Sequence, residues 1–265
     1  MEILNKADIG VFGGSGFYSF LKDIEEIKID TPYGPTSDSV FIGKIGQHRV
    51  AFMPRHGRNH SIPPHLVNFR ANVWAMKHLG CKRVISPCAA GSLQKEVEPG
   101  SFVICDQFVD WTDGRKSTFF EGPIVQHPSP ADTYCPELRK LAIDTARELR
   151  IKIHDSGTVV VINGPRFSTK AESAFFTRQG WQVINMTAFP EAYPVKELNM
   201  CPLNISLITD YDAGLVGDVP PVSHEAVLEV FNNNVENLKS LLFKMIEKIP
   251  TESNNCECKN STKLD

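Results

Sequence analysis

The stretch Pro202–Asp212, with the sequence PLNISLITDYD, is an apolar, β-branched run that ends in two acids. This pattern is typical of a parallel strand that is buried on both faces. In open α/β sheets, ligands bind at the carboxyl ends of such strands. Asp210 and Asp212 therefore either cap the following turn or meet a ligand, because an unpartnered carboxylate at the edge of a core is costly.

Length and composition limit the kinds of protein to which this strand can belong. The chain has 265 residues, of which 42% are hydrophobic and 22% charged, enough for one large α/β core. A net charge of −3 gives no broad basic surface, so we expect neither nucleic acid nor an anionic membrane as a partner. No stretch approaches the roughly 18 apolar residues of a membrane span, and Met1–Asp8 lacks a signal-peptide core. We therefore expect a cytoplasmic protein that acts on small molecules.

The seven cysteines fall into two environments. Those in or beside apolar runs, such as Cys81, Cys88 and Cys105, are expected to be buried, reduced thiols. Cys256 and Cys258 lie in the polar residues 251–265, which we expect to form a mobile tail after a domain of residues 1–250. The pair is either solvated or joined in a strained, easily reduced disulfide. A zinc site there would lack two further nearby ligands, so we expect no metal.

Two strand ends near the N-terminus carry groups that suit an oxyanion. The strand Asp8–Phe12 leads into the turn Gly13–Gly16, where backbone N–H groups and Ser15 can surround an anion, although a plain tight turn fits equally well. The strand His48–Met53 leads to Arg55, whose planar guanidinium suits phosphate, and to the cations and near-cations that follow it. A solvated basic loop is the alternative at this second position. His56 and His60 have the spacing of a helical zinc pair, but Gly57 and Pro63-Pro64 argue against a helix.

Strands and helices alternate through the rest of the chain, which predicts an α/β fold without repeats. Strands are expected at 82–87, 101–105, 157–162 and 181–184, and a turn of small residues at 88–92 follows the first of them. Helices are expected at 65–79, 136–150, 169–180 and 223–249. Residues 106–134 show no sustained period and predict a long loop, either a lid or a subunit contact. Oxyanion donors and carboxylate acceptors thus follow different strands, which suggests a phosphate and a nitrogen heterocycle as the substrates.

Five motifs in this order resemble one enzyme family. They are GGSG at 13–16, PRHGR at 54–58, GPRFS at 164–168, NMT at 185–187 with Pro190-Glu191 after it, and TDYD at 209–212. Together they resemble the methylthioadenosine phosphorylases of the trimeric purine nucleoside phosphorylase type, over roughly Asp8 to Ile249. The resemblance implies a single-domain α/β fold with a mixed β-sheet surrounded by helices, and a homotrimer or homohexamer. It also implies phosphate-dependent cleavage of methylthioadenosine to adenine and 5-methylthioribose 1-phosphate, with phosphate as a co-substrate and no cofactor.

The resemblance also assigns roles to single positions. The residues implied for phosphate binding are Ser15, Arg55, His56, Cys88, Ala89 and Thr187. The residues implied for substrate binding are His60, His127, Phe167, Ser168, Met186, Asp210, Asp212 and His224, with His127 supplied by a neighbouring subunit. Asp210 would be catalytic, donating a proton or hydrogen bond to purine N7, which requires that burial beside another acid raises its pKa.

The same resemblance leaves the preferred substrate open. Ser168 and Asp210 are similar to the residues of enzymes that prefer 6-aminopurines. His224 is instead similar to the histidine with which purine nucleoside phosphorylases bind the ribose 5′-hydroxyl, or it is a solvent-facing residue at a helix start. A purine nucleoside phosphorylase of broader specificity is therefore the main alternative. A nucleosidase that uses water and a non-catalytic nucleoside-binding protein are two further alternatives.

Overall fold

The computed structural model describes residues 6–13, 22–213, 222–251 and 256–263. Within these ranges, eleven strands form one mixed sheet that five α-helices cover. The strands are β1 (Ile9–Gly13), β2 (Lys22–Ile27), β3 (Val40–Ile45), β4 (His48–Pro54), β5 (Arg83–Ser92), β6 (Phe102–Ile104), β7 (Gln107–Trp111), β8 (Ile153–His154), β9 (Thr158–Ile162), β10 (Val183–Asn185) and β11 (Cys201–Asp210). The helices are α1 (Phe69–His78), α2 (Pro136–Glu148), α3 (Lys170–Arg178), α4 (Ala188–Glu197) and α5 (His224–Lys248). The expected α/β fold with a mixed sheet is confirmed.

The strand β11 lies at the centre of the sheet, as its apolar sequence predicts. It runs parallel to β5, from Cys201 opposite Arg83 to Asp210 opposite Gly91, and antiparallel to the short β6 on its other side. Every residue of β11 before Asp210 is buried. Asp210 is therefore the point at which the central strand leaves the core.

Helices pack on both faces of the sheet because successive side chains of a strand point to opposite faces. On one face, apolar side chains of β11 such as Leu203, Ile205 and Leu207 share a core with α2 and α5. On the other face, α1 packs against β1, β3 and β4. The polar side chains Asn204 and Ser206 alternate with the apolar ones along β11 and are buried as well.

The beginning and the end of the domain meet at His48, which is fully buried. Its Nδ1 lies 2.7 Å from Asp8 Oδ2, and its Nε2 lies 2.8 Å from the carbonyl oxygen of Ile249. Ile249 is the C-cap of α5, so this carbonyl belongs to the negative end of the helix dipole. His48 thus links the residue just before β1 to the end of the last long helix.

The structure differs from the sequence prediction in several elements. Residues 106–134 are predicted to be a loop, but the strand β7 lies at the beginning of this range and pairs with β9. A turn of small residues is predicted at 88–92, but β5 continues to Ser92. The helix α4 is not predicted at all, since Pro190 and Pro194 interrupt the pattern and Phe189 has non-helical dihedral angles. The edge strand β2 and the two-residue β8 are also missing from the prediction.

Residues 256–263 pack against the domain through a short 3-10 helix, Glu257–Asn260. The side chains of Cys256 and Cys258 are buried in the same core as α2 and α5, so the expectation of a solvated thiol pair is wrong. Thr262 fixes the end of this segment, since its hydroxyl donates to the Glu197 carbonyl and its N–H to Asn199 Oδ1. None of the described helices has the length and apolar composition required to cross a bilayer.

Candidate active site

A cavity of about 640 Å³ opens where β4, β5, β10 and β11 end. This is the expected place for a ligand in an α/β sheet, and the volume suits a small organic molecule together with an anion. Most of the residues that the sequence singles out line it: Arg55, His56, His60, Cys88, Ala89, Phe167, Met186, Thr187, Asp210, Asp212 and His224.

The two acids at the end of β11 form one wall of the cavity. Asp210 Oδ2 accepts a hydrogen bond from the Thr209 hydroxyl at 2.8 Å, and Oδ1 accepts one from the Asp212 backbone N–H, also at 2.8 Å. Burial raises the pKa of Asp210 and outweighs these two hydrogen bonds, which favour the ionised form. The carboxyl group is thus biased toward holding a proton.

Asp212 offers an acceptor to a ligand. Burial raises its pKa too, against the lowering effect of nearby hydroxyls that include Ser173 and Ser168. Nevertheless, Asp212 Oδ2 and the hydroxyls of Ser168 and Ser173 are buried, and among the described residues none of them has a hydrogen-bond partner at good distance and angle. A buried oxygen without a partner is costly, so an N–H donor in the cavity would satisfy Asp212. Ser168 itself is buried beside the cavity.

A β-bulge aims Asp210 at the cavity. The register between β11 and β5 shifts between Ile208 and Asp210, and this places Asp210 opposite Gly91. A Cβ atom at Gly91 would lie 2.9 Å from Asp210 Oδ1 and 2.9 Å from the Ile184 side chain. Only glycine therefore leaves room for the carboxyl group of Asp210. The sequence alone does not show this requirement, because Gly91 is one of several small residues in a row.

Arg55 also lines the cavity, where it is buried and held by Glu191. Its Nε donates to Glu191 Oε2 at 2.6 Å, and its Nη2 donates to Glu191 Oε1 at 2.9 Å. Burial acts to lower the pKa of Arg55, but the charge of Glu191 more than compensates, so the pKa is raised. Nη1 has a single partner among the described residues, the carbonyl oxygen of Pro87 at 3.4 Å. One edge of the guanidinium is thus committed to Glu191, and Nη1 can serve a ligand.

His56 is a neutral group and not the near-cation that the sequence suggests. Burial, together with the charge of Arg55, lowers its pKa to about 4. Its Nδ1 lies 2.8 Å from the Ile62 carbonyl oxygen, which can only accept, so Nδ1 carries the hydrogen. In this tautomer Nε2 is an acceptor.

A buried polar network that sequence reasoning missed supports the floor of the cavity. Asn185 Oδ1 accepts from the backbone N–H groups of Thr187 and Ala188, while its Nδ2 donates to Cys88 Sγ at 3.3 Å. Cys88 Sγ also lies near Asn204 Nδ2 and the Ser206 hydroxyl. The network holds the start of α4 against β5, and Thr187 caps α4 without a side-chain hydrogen bond to the helix.

Two histidines stand at the mouth of the cavity. The rings of His60 and His224 are 6.3 Å apart, and the rings of His56 and His60 are 4.7 Å apart. Burial and the charge of His224 lower the pKa of His60. His224 is the first residue of α5, whose N-cap Ser223 accepts a hydrogen bond from the Ala226 N–H. Phe167, which is 38% exposed, and Met186 complete this side.

Three of the predicted site residues are not among the described residues that line the cavity: Ser168, which is buried beside it, His127 and Ser15. His127 is exposed in the long loop after β7, next to the exposed side chains of Ile124 and Val125. Ser15, with most of the glycine-rich turn, lies outside the described residues.

Comparisons with known proteins show which family the chain is similar to. A family model described as the phosphorylase superfamily matches residues 8–247. An S-methyl-5′-thioadenosine phosphorylase of Thermofilum pendens is 50% identical over 257 residues, covering 96% of this chain and 97% of its own length. A purine nucleoside phosphorylase of Streptomyces coelicolor is 48% identical over 262 residues, covering 96% of this chain and 93% of its own length. A solved methylthioadenosine phosphorylase from Schistosoma mansoni, in complex with adenine, superposes with a TM-score of 0.89 at 35% identity, covering 94% and 93% of the two chains.

Proposed function

Because the chain belongs to the methylthioadenosine phosphorylase family of the phosphorylase superfamily, we propose that it cleaves S-methyl-5′-thioadenosine with inorganic phosphate. The products are adenine and 5-methylthioribose 1-phosphate, which makes the enzyme a pentosyltransferase. One observation carries the proposal: Arg55 and Thr187 line the same cavity as the acids Asp210 and Asp212. An anion and a nitrogen heterocycle can therefore be bound together, with the sugar between them. The family match over 8–247 supports a single catalytic domain within residues 1–250.

The phosphate half of the site has complementary donors and an acceptor. Arg55 Nη1, the hydroxyl of Thr187 and the backbone at Cys88 and Ala89 would donate to phosphate oxygens. His56 Nε2 would accept a hydrogen bond from the one phosphate oxygen that carries a proton near neutral pH, which fits its lowered pKa. We assign Ser15 to the same half from the motif alone.

The base half of the site has the groups that a leaving adenine needs. A phosphate oxygen forms a bond to the anomeric carbon while the N-glycosidic bond breaks, and the electron pair of that bond passes to the purine. Protonated Asp210 would donate its proton to N7 and so neutralise the developing charge, while Asp212 would accept from the 6-amino group. No redox change or carried group is involved, so phosphate is the only other reactant and we propose no cofactor.

The direct test is purine release from methylthioadenosine, adenosine and inosine, each with and without inorganic phosphate. We expect release to require phosphate and to be fastest with methylthioadenosine. Release at an equal rate in phosphate-free buffer would contradict the proposal and indicate a nucleosidase. Binding without turnover at every phosphate concentration would indicate a nucleoside-binding protein.

A broader purine nucleoside phosphorylase is the second candidate, and His224 is the observation that favours it. This side chain lines the cavity near His60, where its ring could bind a ribose 5′-hydroxyl. An apolar methylthio group would forgo that hydrogen bond, worth about 1 kcal/mol. If His224 contacts the 5′ position, His224→Val should shift the ratio of kcat/KM for methylthioadenosine over adenosine upward by about fivefold. An unchanged ratio would place His224 outside the substrate contacts.

The assembly is proposed from the family and from the loop after β7. Exposed Ile124 and Val125 beside exposed His127 form an apolar patch, which suits contact with a second copy of the chain. We propose a homotrimer, or a homohexamer built from two trimers, in which His127 reaches the cavity of a neighbouring subunit.

A further inference from the structure

Four cysteines from distant parts of the chain come together in the core. The Sγ atoms of Cys135, Cys201, Cys256 and Cys258 all lie within 4.8 Å of one another, and all four residues are buried. The sequence shows only Cys256 and Cys258 as a pair, with no further ligand nearby. The fold supplies the two that are missing.

Three rigid elements position these sulfur atoms. Cys135 is the N-cap of α2, and its backbone N–H donates to the Pro202 carbonyl at 2.9 Å. Cys201 is the first residue of β11, and its Sγ lies 3.5 Å from Cys256 Sγ. Cys258 lies within the 3-10 helix that Cys256 precedes. Because the N-terminus of α2 carries a partial positive charge, it favours a thiolate at Cys135.

The distances between the four Sγ atoms fit the binding of one metal ion better than they fit disulfide bonds or an iron–sulfur cluster. Tetrahedral coordination with Zn–S bonds of about 2.3 Å places the ligand sulfurs about 3.8 Å apart. A disulfide requires a sulfur–sulfur distance of about 2.05 Å, whereas the Sγ atoms of Cys201 and Cys256 lie 3.5 Å apart. An iron–sulfur cluster needs room for several iron and sulfide ions between its cysteines. The four Sγ atoms lie too close together to leave that room.

We propose that Cys135, Cys201, Cys256 and Cys258 bind one Zn²⁺ ion as thiolates in a closed, four-coordinate site. This assignment departs from the expectation of a protein without metal. Binding displaces the thiol protons to solvent and leaves no coordination position for a substrate. The site lies at the start of β11 and the candidate active site at its end, about 30 Å apart for a ten-residue strand. The ion therefore has a structural role: it fastens residues 256–263 to α2 and β11.

The first experiment measures the metal in the full, untagged chain. The protein is produced with zinc in the medium, purified in reducing buffer without chelator, and analysed by inductively coupled plasma mass spectrometry. We expect one zinc per chain. Replacement of zinc by Co²⁺ should give the intense sulfur-to-cobalt charge-transfer bands and the visible bands of a tetrahedral thiolate site.

Matched variants identify the ligands. Cys256→Ser and Cys258→Ser should each reduce the zinc content at least tenfold, whereas Cys81→Ser should retain one zinc per chain. Cys81 is equally buried but belongs to the apolar cluster around α1. If a ligand variant does not fold, the cobalt spectrum of the unaltered chain still decides the question.

Other results would overturn the proposal. A purified chain whose mass is lower by four hydrogens, without metal, would show two disulfides among the four residues. A chain with four titratable thiols at these positions and no bound zinc would show that the cluster is only apolar packing. Iron in place of zinc at one per chain would overturn the choice of metal.

Discussion

At the scale of single residues, the site depends on Asp210 being protonated. Its pKa is raised by burial, so the protonated, hydrogen-donating form is populated to a higher pH than for an exposed aspartate. We therefore expect kcat to fall as the pH rises through the raised pKa, and to be insensitive to pH below it. A pH profile of kcat for methylthioadenosine at saturating phosphate measures this.

Asp210→Asn tests the same residue without pH. The amide can still donate a hydrogen bond to N7 but cannot transfer a proton, so we expect kcat for methylthioadenosine to fall about 10²-fold and the alkaline limb of the profile to disappear. The loss should be smaller for inosine, whose 6-oxopurine does not need the same proton. Asp144→Asn is the control, since Asp144 is exposed on α2 and pairs with Lys140. Equal losses for the two substrates would contradict the role of Asp210.

The ion pair Arg55–Glu191 is also a residue-scale prediction. Both side chains are buried, so Glu191→Gln leaves a buried guanidinium without a countercharge. We expect the free energy of unfolding to fall by about 3 kcal/mol and the KM for phosphate to rise, because Arg55 loses its orientation. Thermal unfolding measures the first effect, and initial rates at varied phosphate concentration measure the second. Glu121→Gln, which alters exposed ion pairs with Arg70 and Lys116, should cost less than about 1 kcal/mol.

At the scale of elements, the bulge between β11 and β5 makes a sharper prediction. In Gly91→Ala the new Cβ would crowd Asp210 Oδ1, so we expect kcat/KM for methylthioadenosine to fall more than tenfold while the fold is retained. If the whole effect passes through Asp210, the double variant Gly91→Ala/Asp210→Asn should be no slower than Asp210→Asn alone. Additive losses would show that Gly91 acts by another route, such as its contact with Ile184.

The elements also show how far the sequence could be interpreted. Strands and helices with a clear period, such as β11, α2 and α5, are predicted close to their observed bounds. The helix α4 is missed because its two prolines conceal it, and the full length of β5 because small residues resemble a turn. The partners of the site residues are hidden for another reason: Arg55 and Glu191 are 136 positions apart, and only the fold brings them together. The same holds for Cys135 and Cys201 beside Cys256, whereas the residues lining the cavity could be named in advance because their motifs resemble a family.

At the scale of the whole molecule, the exposed patch of the long loop makes the last prediction. Ile124→Asp/Val125→Asp places two charges in the proposed subunit contact, so we expect dissociation to smaller species and a loss of activity, since His127 no longer reaches a neighbouring cavity. Light scattering coupled to size-exclusion chromatography measures the mass. Ile24→Asp, on the edge strand β2, is the control and should leave the mass unchanged. An unaltered assembly in the double variant would show that this patch is not an interface.

The two contacts of the His48 ring have a consequence for the order in which the elements follow one another along the chain. Asp8, just before the first strand, and Ile249, just after the last long helix, touch the two nitrogens of one imidazole ring, so the two ends of the domain are neighbours in space. A short flexible linker could join them in place of residues 250–265, with the loss of Cys256 and Cys258, and new termini could be opened at an exposed position such as Gly114, where a glycine has open space around it. Such a circular permutant should assemble the same sheet, because none of its strand pairings requires the present start and finish.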